Sequence, residues 1–412
     1  TEGIDIIGEN TTTRYVLRYG RSQFRISTNH VSNNETITIS IYDNETGLKL
    51  TELNKTIKIS DPPVVIKYAN ITHTNSTQNL TFKIFNTTTY DLNRTVEYFA
   101  MLRRQGRVLN GVEYLSNYPH GCIEQTTSPM IASLYVKKYV NTNNISSNID
   151  YDAKINQGIE RLTTGAMAPK DMGNGVYAWG LWGNWNPKVI YTAYVLYGLT
   201  TTKIEGQTVN QSYIDNGIKY ILISQNADGS WNNNISQRDY RVDNLMRTKP
   251  ACNSLITLAL IQTYNTTSND TLKAEIFNAT NKSVRYLISQ DTTHFDSYDY
   301  GFMAWALSEA YNMGINDTNV SNKLNEIIDT LNTISFNSGA PSYGWYGTKA
   351  ETIAIASIGL QKAEQAGFSS TDKYVQLNNN LTELYSPYGG SGWGSTKSTG
   401  MALRALTESN LS

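Results

Sequence analysis

One of the two cysteines in this chain lies three residues before a glutamine, in the segment YPHGCIEQTTSP (residues 118–129). If this segment begins a helix, Cys122 and Gln125 share one face, because side chains three apart on a helix are neighbours. A sulfur held against a carboxamide carbon can condense with it, losing ammonia, to form an internal thioester. Pro119 and Gly121 indicate a turn before the helix. The spacing therefore predicts that Cys122 lies at a helix N-terminus, where the helix dipole stabilises a thiolate.

Two kinds of helical segment alternate after residue 99 and must position this motif. One kind is rich in alanine and leucine, with small residues on one face, and recurs roughly every 50 to 60 residues. It is found at 191–203, 253–265, 301–312, 351–365 and 398–409. Its amphipathic partners are found at 213–225, 281–290, 321–334 and 373–385. Such hairpins close most simply into an α/α toroid with the small-residue helices inside. The segment VLNGVEYLSNY (108–118) is predicted to be the first inner helix.

Loops rich in glycine and aromatic residues follow the partner helices. They read NADGSW, SYDYG, PSYGWYG and YGGSGWGS, and a related segment, YAWGLWGNW, precedes the helix at 191–203. The tryptophans of these loops are predicted to pack on helix ends as structural plugs. They are Trp179, Trp182, Trp185, Trp231, Trp345 and Trp393.

Residues 1–98 show a different pattern. Short β-branched or aromatic segments such as ETITISIYD, TIKIS and NLTFKIFN are separated by clusters of Asn, Gly, Asp and Pro. About seven strands in this length predict a small antiparallel β-sandwich with an immunoglobulin-like outline. The chain is therefore expected to be mainly α, with a β-sandwich domain at 1–98 and the toroid at 99–412.

Composition limits the classes of function and site. A net charge of −1 and a charged fraction of 17% give no electrostatic footprint for nucleic acid. No apolar run of about twenty residues predicts a membrane span. Two cysteines do not form a disulfide framework, although a Cys122–Cys252 bridge is a simple alternative use for both thiols. Neither zinc spacings nor a phosphate-binding loop occur, so no metal and no cofactor are expected.

Asn-x-Ser/Thr sequons are dense, at about twenty in the chain. Together with the shortage of lysine they predict a secreted or surface-displayed glycoprotein, whose signal or anchor lies outside these residues. The candidate glycosylation sites are Asn34, Asn70, Asn75, Asn79, Asn86, Asn210, Asn278 and Asn316.

The string YPHGCIEQTTS closely resembles the thioester signature of the alpha-2-macroglobulin and complement family, and most of all its bacterial branch. The resemblance extends to later segments such as QNADGSW and GWGSTKSTGMALRALTES. It implies that residues 99–412 are the family's toroidal thioester domain and that residues 1–98 are macroglobulin-like. By resemblance, Cys122 supplies the sulfur and Gln125 the acyl carbon. Glu124 keeps the family's acid, in an orienting role.

Some members of that family use a further residue after the Asp-Gly-aromatic loop, a histidine that takes the acyl group first. The equivalent segment here, residues 226–246, contains no histidine, and Asp239 or Tyr240 falls nearest to that position. The resemblance then implies direct attack by an amine, with hydroxyls and water slower. His120 precedes the motif on a turn and is given no catalytic role.

The function implied is covalent capture of a nucleophile on a protease or cell-surface target, as part of protease inhibition or defence. Each acyl group is spent once, so the protein is expected not to be an enzyme, and further macroglobulin-type domains are expected outside this chain. Two alternatives remain open. In the first alternative, the chain is a surface or adhesion module that kept the fold without the reaction. In the second, it is a barrel like the squalene cyclases, which share the Gln-x-x-Asp-Gly-x-Trp pattern.

Overall fold

The N-terminal and C-terminal parts of the chain form two compact units, Thr1–Thr95 and Val96–Ser412. The computed structural model describes the backbone of residues 4–7, 25–28, 32–42 and 49–59 in the first unit. In the second unit it describes residues 103–117, 121–145, 147–183, 185–232, 245–246, 248–334, 349–370, 372–385 and 392–408.

The described part of the first unit consists of two antiparallel strand pairs. Strand β1 (Ile4–Ile7) pairs with β2 (Arg25–Thr28), and β3 (Ser32–Tyr42) pairs with β4 (Lys49–Ile59). The alternation of ETITISIYD agrees with the long β3–β4 hairpin. The other strands predicted for the sandwich, including those around Asn70 to Asn86, lie outside the described residues.

The described part of the second unit contains twelve helices and one small hairpin. The helices are α1 (Arg103–Asn117), α2 (Ile123–Thr142), α3 (Tyr151–Thr163), α4 (Val189–Ile204), α5 (Gln211–Ile223), α6 (Lys249–Thr266), α7 (Asp270–Ile288), α8 (Ser297–Asn312), α9 (Thr318–Thr333), α10 (Lys349–Gln365), α11 (Lys373–Leu384) and α12 (Thr396–Glu408). The hairpin joins β5 (Lys170–Asp171) to β6 (Tyr177–Ala178) between α3 and α4. None of these helices is both long and apolar enough to cross a bilayer.

The even-numbered helices form a closed inner ring, in which α2, α4, α6, α8, α10 and α12 each contact the next and α12 returns to α2. The odd-numbered helices pack outside them. This arrangement confirms the α/α toroid and the placement of the small-residue helices inside it. The prediction for 108–118 was wrong, because α1 lies in the outer layer against α2, α11 and α12. Its exposed Asn110 and Glu113 explain this, since an inner helix is enclosed on all sides.

Inner and outer helices differ in burial. An inner helix such as α6 is buried almost throughout, whereas an outer helix such as α9 buries one face. Polar caps begin helices of both kinds, and Thr248 caps inner α6. Asp150 accepts the N–H of Ala153 at the start of α3, and Asn210 accepts the N–H of Ser212 at the start of α5. Capping thus fixes the points at which the chain re-enters the outer layer.

Three loop tryptophans hold outer and inner helices together by one repeated contact. Each indole N–H donates to a carbonyl at the end of the preceding outer helix, at 2.6 to 2.9 Å. Each backbone N–H donates to a polar side chain in the next inner helix. The pairs are Trp179 with Leu162, Trp231 with Ile221 and Trp393 with Leu381. For these three residues the predicted role as structural plugs is confirmed.

The inner helices run parallel, because their first turns contact one another and so do their last turns. Glu124 in the first turn of α2 bonds Thr396 in the first turn of α12. Lys362 near the end of α10 pairs with Glu408 at the end of α12. The toroid therefore has a Cys122 end, where the inner helices begin, and an opposite end, where they finish.

A buried ion cluster stabilises the opposite end. Glu408 accepts from Arg404 Nε at 2.9 Å and from Lys362 Nζ at 2.6 Å. The Arg404 guanidinium also lies 4.2 Å from the centre of the Trp305 ring. Burial by itself would raise the pKa of Glu408, but Arg404 and Lys362 outweigh it and lower the pKa to about 2.

Replacing Glu408 with glutamine is expected to lower the free energy of unfolding near pH 7 by about 3 kcal/mol. This is the free energy that corresponds to the difference between a pKa of about 2 in the folded protein and 4.5 for an ordinary glutamate. Folded Glu408 holds its proton less tightly than in the unfolded chain. Its contribution is therefore complete above about pH 5.5 and is lost as the pH falls towards about 2. Urea unfolding across this pH range measures the difference.

The matched control is Glu326→Gln, which breaks an exposed pair with Lys323. It should change stability little at any pH, because exposed ion pairs contribute little. A deficit in Glu408→Gln that stays constant down to about pH 2 would contradict the prediction.

Candidate functional site

Cys122 and Gln125 meet at the start of α2. Cys122 is the N-cap residue, with an extended backbone (φ −74°, ψ −179°), and the two residues form a reciprocal capping box. The backbone N–H of Gln125 donates to the Cys122 sulfur, and the backbone N–H of Cys122 donates to Gln125 Oε1 at 3.2 Å. The structure therefore brings together the two residues that the spacing predicted, with sulfur and carboxamide on one side of the first turn.

Gly121 leaves the space that the Gln125 carboxamide fills. A Cβ at position 121 would lie 1.8 Å from Gln125 Oε1 and 3.0 Å from its Cδ. It would also lie 3.3 Å from the indole ring of Trp182. No other residue fits here without displacing the carboxamide, so the glycine of the motif is explained by a close approach rather than by its turn alone.

The Cys122 thiol is protonated more firmly than its place at a helix N-terminus predicts. Cys122 is only 8% exposed, and this burial raises the pKa of its thiol. The hydrogen bond from the Gln125 N–H opposes the shift, while the nearby charge of Glu124 adds to it. The prediction of a stabilised thiolate was therefore wrong, because desolvation outweighs the hydrogen bonds of the helix terminus.

The cysteines are not joined to each other. Cys122 and Cys252 are both buried, and neither is part of a disulfide. Cys252 lies inside α6, whereas Cys122 lies before the first turn of α2. The alternative of a structural bridge between them is thereby excluded.

The segment between α3 and α4 covers one side of the motif. The backbone N–H of Ile123 donates to the carbonyl of Leu181 at 3.0 Å, which satisfies one of the free N–H groups of the first turn of α2. Trp179 anchors this segment in the core, but Trp182 and Trp185 are 37% and 54% exposed. The prediction that these two tryptophans plug helix ends was wrong, and Trp182 lies instead beside the Gln125 carboxamide.

Arg161 in the last turn of α3 holds the backbone around the cysteine. Its Nη2 donates to the carbonyl of Gly121 at 2.9 Å, and its Nε donates to the hydroxyl of Thr126 at 3.1 Å. Thr126 in turn donates to the carbonyl of Cys122 at 3.0 Å. Sequence analysis did not identify Arg161, since nothing in the pattern of α3 relates it to a motif about forty residues earlier.

Glu124 connects the first inner helix to the last. Its carboxylate accepts from the hydroxyls of Ser128 at 2.9 Å and Thr396 at 2.8 Å, and Ser128 also bonds the hydroxyl of Tyr194 at 2.7 Å. Burial raises the pKa of Glu124, and these hydroxyls and the nearby Lys397 partly offset the rise. Glu124 is thus held at the point where the ring closes, next to Cys122.

A second polar cluster continues around the Cys122 end. Lys397 Nζ lies 2.8 Å from Glu351 Oε1, and both contact the hydroxyl of Tyr298 at 3.0 Å. Ser398 donates to the other Glu351 oxygen at 3.1 Å. The positive end of the helix dipole stabilises carboxylates in the first turns of inner helices. The buried charge of Lys397 is compensated by its ion pair with Glu351.

Several predicted residues have no part in this geometry. Asp239, Tyr240 and His120 lie outside the described residues. In the part of the chain that the structure describes, no three His, Cys, Asp or Glu side chains could hold a metal ion together. Asn210, Asn278 and Asn316 are exposed, as glycosylation requires. Of Asn34 only the backbone is described, and the remaining candidate asparagines fall outside the described residues.

The chain is similar to a known protein family and, at low identity, to solved structures. The family described as "A-macroglobulin TED domain" matches residues 98–409. No curated protein sequence matches the chain. The cryo-EM structure of native Escherichia coli alpha-2-macroglobulin is 19% identical, with a TM-score of 0.49, over 73% of this chain and 16% of that one. The crystal structure of its region from domain MG7 to the C-terminus is 20% identical, with a TM-score of 0.44, over 74% of this chain and 42% of that one. This chain therefore spans less than half of either.

Replacing Gly121 with alanine is expected to abolish any bond between Cys122 and Gln125, because the new methyl group occupies the position of the carboxamide. A Cys–Gln thioester lacks one ammonia, about 17 Da, so intact mass spectrometry measures the fraction that carries it. Gly106→Ala in α1 is the matched control, since a Cβ there meets nothing within 4 Å. Equal mass deficits in the two variants would refute this role of Gly121.

Replacing Arg161 with lysine is expected to slow the appearance of the mass deficit about tenfold, because lysine cannot bridge Gly121 and Thr126 as the planar guanidinium does. The time course after dilution from denaturant measures the rate. Arg285→Lys, an exposed position paired with Asp317, controls for the loss of an arginine. The expectation fails if the two variants form the bond at the same rate.

Proposed function

Because the chain belongs to the alpha-2-macroglobulin and complement family of thioester domains, we propose that Cys122 and Gln125 form an internal thioester that captures a nucleophile covalently. The observation that carries this proposal is the reciprocal capping box, which places the sulfur and the carboxamide on one side of the first turn of α2. Gly121 supports it further, since the carboxamide fills the space that this glycine leaves.

Thioester formation needs no group beyond the two side chains. The Cys122 sulfur attacks Cδ of Gln125, a carbon–sulfur bond forms, and the carbon–nitrogen bond breaks. The thiol proton leaves with the amide nitrogen as ammonia. During attack, negative charge develops on Oε1, the atom that already accepts the N–H of Cys122, so this donor stabilises the transition state without rearrangement.

In the capture step the Cys122 sulfur is the leaving group, whereas in thioester formation it is the nucleophile. An incoming amine attacks the acyl carbon, an amide bond forms, and the carbon–sulfur bond breaks. The amine's proton passes to the released sulfur, which holds it firmly because burial raises the pKa of the Cys122 thiol. One acyl group serves one target, so the protein is a single-use acyl donor and not a turnover enzyme, and it needs neither metal nor cofactor.

Amines are the favoured acceptors in this proposal. No histidine occurs in residues 226–246, where some relatives place the residue that relays the acyl group, and Asp239 or Tyr240 stands nearest to it. Without an acyl-imidazole intermediate, a hydroxyl has no activated partner, whereas an amine is nucleophilic enough to attack directly. A lysine of a protein target fits this chemistry.

The setting that we propose is extracellular. Dense sequons support a secreted or surface glycoprotein, with residues 1–98 as a macroglobulin-like β-sandwich and 99–412 as the thioester domain. The targets are proteins on a protease or a cell surface, in protease inhibition or defence. Further macroglobulin-type domains belong to the full assembly.

The packing of the ring disfavours the cyclase-like alternative. The cavity between α2, α4 and α12, lined by residues that include Ser128, Tyr194 and Arg404, has a volume of about 10 Å³. That volume holds one water molecule, whereas ligand pockets measure several hundred Å³. Arg404, which lines this cavity, lies 4.2 Å from the centre of the buried Trp305 ring, so side chains fill this part of the ring interior.

In freshly purified protein, the thioester predicts a mass deficit of one ammonia (about 17 Da) and a Cys122 that does not react with iodoacetamide. Methylamine should add its own mass (about 31 Da) and release one thiol, which then alkylates, whereas glycerol at the same concentration should add far more slowly. Intact-mass and peptide mass spectrometry measure both steps.

Cys122→Ala is the matched control, and it should keep the fold while losing the deficit and the reaction with methylamine. Cys252 is an internal reference, because this buried thiol should alkylate only after unfolding. Full alkylation of Cys122 in native protein, with no mass gained from methylamine, would exclude the thioester and favour the non-reactive module.

A further inference from the structure

The opposite end of the toroid differs from the Cys122 end in its asparagines. Short connections join each inner helix to the next outer helix there, and four of the five carry Asn-x-Ser/Thr sequons within or beside them. The asparagines are Asn144 after α2, Asn210 before α5, Asn265 and Asn269 around the α6–α7 turn, and Asn316 and Asn319 around the α8–α9 turn. All six are exposed.

The described connections at the Cys122 end contain no sequon. These are residues 164–183 with 185–188, 224–232, 289–296 and 392–395, in which Gly and Trp are the commonest residues. One sequon, that of Asn234, falls between α5 and α6, in residues outside the described ranges.

Two of the six asparagines cap helices through their side-chain oxygen, and a glycan leaves that hydrogen bond intact. Asn210 Oδ1 accepts the N–H of Ser212 at 3.0 Å, and Asn269 Oδ1 accepts the N–H of Leu272 at 3.1 Å. An N-linked glycan is attached to Nδ2, so the capping oxygen keeps its hydrogen bond. Modification at these positions is therefore compatible with the helix starts that the fold requires.

Helix capping alone does not account for the sequons. Asp caps a helix as well as Asn does, and α3 and α9 begin at Asp150 and Asp317. The α9 connection nevertheless carries a sequon at Asn316, one residue before its cap. The Ser212 hydroxyl also donates to the capping oxygen of Asn210 at 2.9 Å, so at that site the hydroxyl residue has a structural use as well. At Asn269 the capping oxygen accepts the N–H of Leu272, and the sequon hydroxyl belongs to Thr271.

We propose that the toroid is modified asymmetrically, with N-linked glycans on the opposite end and none on the Cys122 end. This proposal rests on the glycoprotein character proposed above and assigns its sites. Bulky, hydrated glycans cover the end that is remote from the thioester residues. The end that carries Cys122, Trp182 and Trp185 stays accessible to a protein surface bearing the acceptor amine.

Glycopeptide mass spectrometry of the protein purified from the cells that produce it tests this assignment. Peptides containing Asn144, Asn210, Asn265 with Asn269, and Asn316 with Asn319 should carry glycan mass, and peptides from the described connections at the Cys122 end should carry none. Bare asparagines at the opposite end would overturn the asymmetry.

Two variants at one site make the test independent of folding. Asn210→Asp keeps a capping oxygen and Ser212→Ala keeps the capped N–H, yet both destroy the sequon. Each should remove the mass of one glycan and leave the melting temperature of the toroid nearly unchanged. If both variants keep the wild-type mass, Asn210 carries no glycan and the assignment fails there.

The outcomes separate this inference from the proposed function. Glycans on both ends would leave the glycoprotein standing and refute only the asymmetry. An absence of glycan on every sequon would refute both. The thioester is measured on a different peptide, by its mass deficit at Cys122 and Gln125, and none of these outcomes changes it.

Discussion

The Gln125 carboxamide lies where a side chain at position 121 would otherwise be, and much of the surrounding structure serves to keep it there. A helix of ordinary sequence could begin with any small polar residue at the N-cap position that Cys122 occupies. Here the first turn folds back so closely that Oε1 of Gln125 reaches the N–H of Cys122 over the bare backbone of Gly121. Through this close approach, a common helix-capping pattern places the sulfur and the carboxamide on one side of the first turn.

Contacts from other elements stabilise this turn. Arg161 binds the carbonyl before the cysteine, Leu181 accepts the N–H after it, and Glu124 connects the same turn to α12. These partners are more than thirty residues away in sequence, so the turn is stabilised by tertiary contacts. The contact between Glu124 and Thr396 requires a closed ring, and because α12 is the last of the described inner helices, it couples this turn to completion of the toroid.

The sequence predicted the repeat and the position of the motif because both follow from local pattern. Period and composition identified α4, α6, α8, α10 and α12 as inner helices, and Cys122 at a helix start followed from Pro119 and Gly121. Long-range relations were not predictable. The outer position of α1 depends on which neighbours enclose it, and Arg161 and Leu181 depend on how α3 and its loop pack against α2. The exposure of Trp182 and Trp185 was not predictable for the same reason. They share one glycine- and tryptophan-rich segment with Trp179, but only Trp179 packs on a helix end.

Because the pKa of the Cys122 thiol is raised, reaction at this site cannot depend on a thiolate at rest. A reactive cysteine protease or redox enzyme needs a thiolate at rest, and the N-terminus of α2 supplies the hydrogen bonds that would favour one. Burial outweighs them here, so the resting thiol is protonated and the driving force for reaction must come from the acyl side. In the proposed reaction the N–H of Cys122, which donates to Oε1 of Gln125 at 3.2 Å, stabilises the negative charge that develops on this oxygen. A buried, protonated thiol is a poor metal ligand and a poor target for oxidants, so before the proposed bond forms the sulfur stays in the reduced state that the reaction with Gln125 requires.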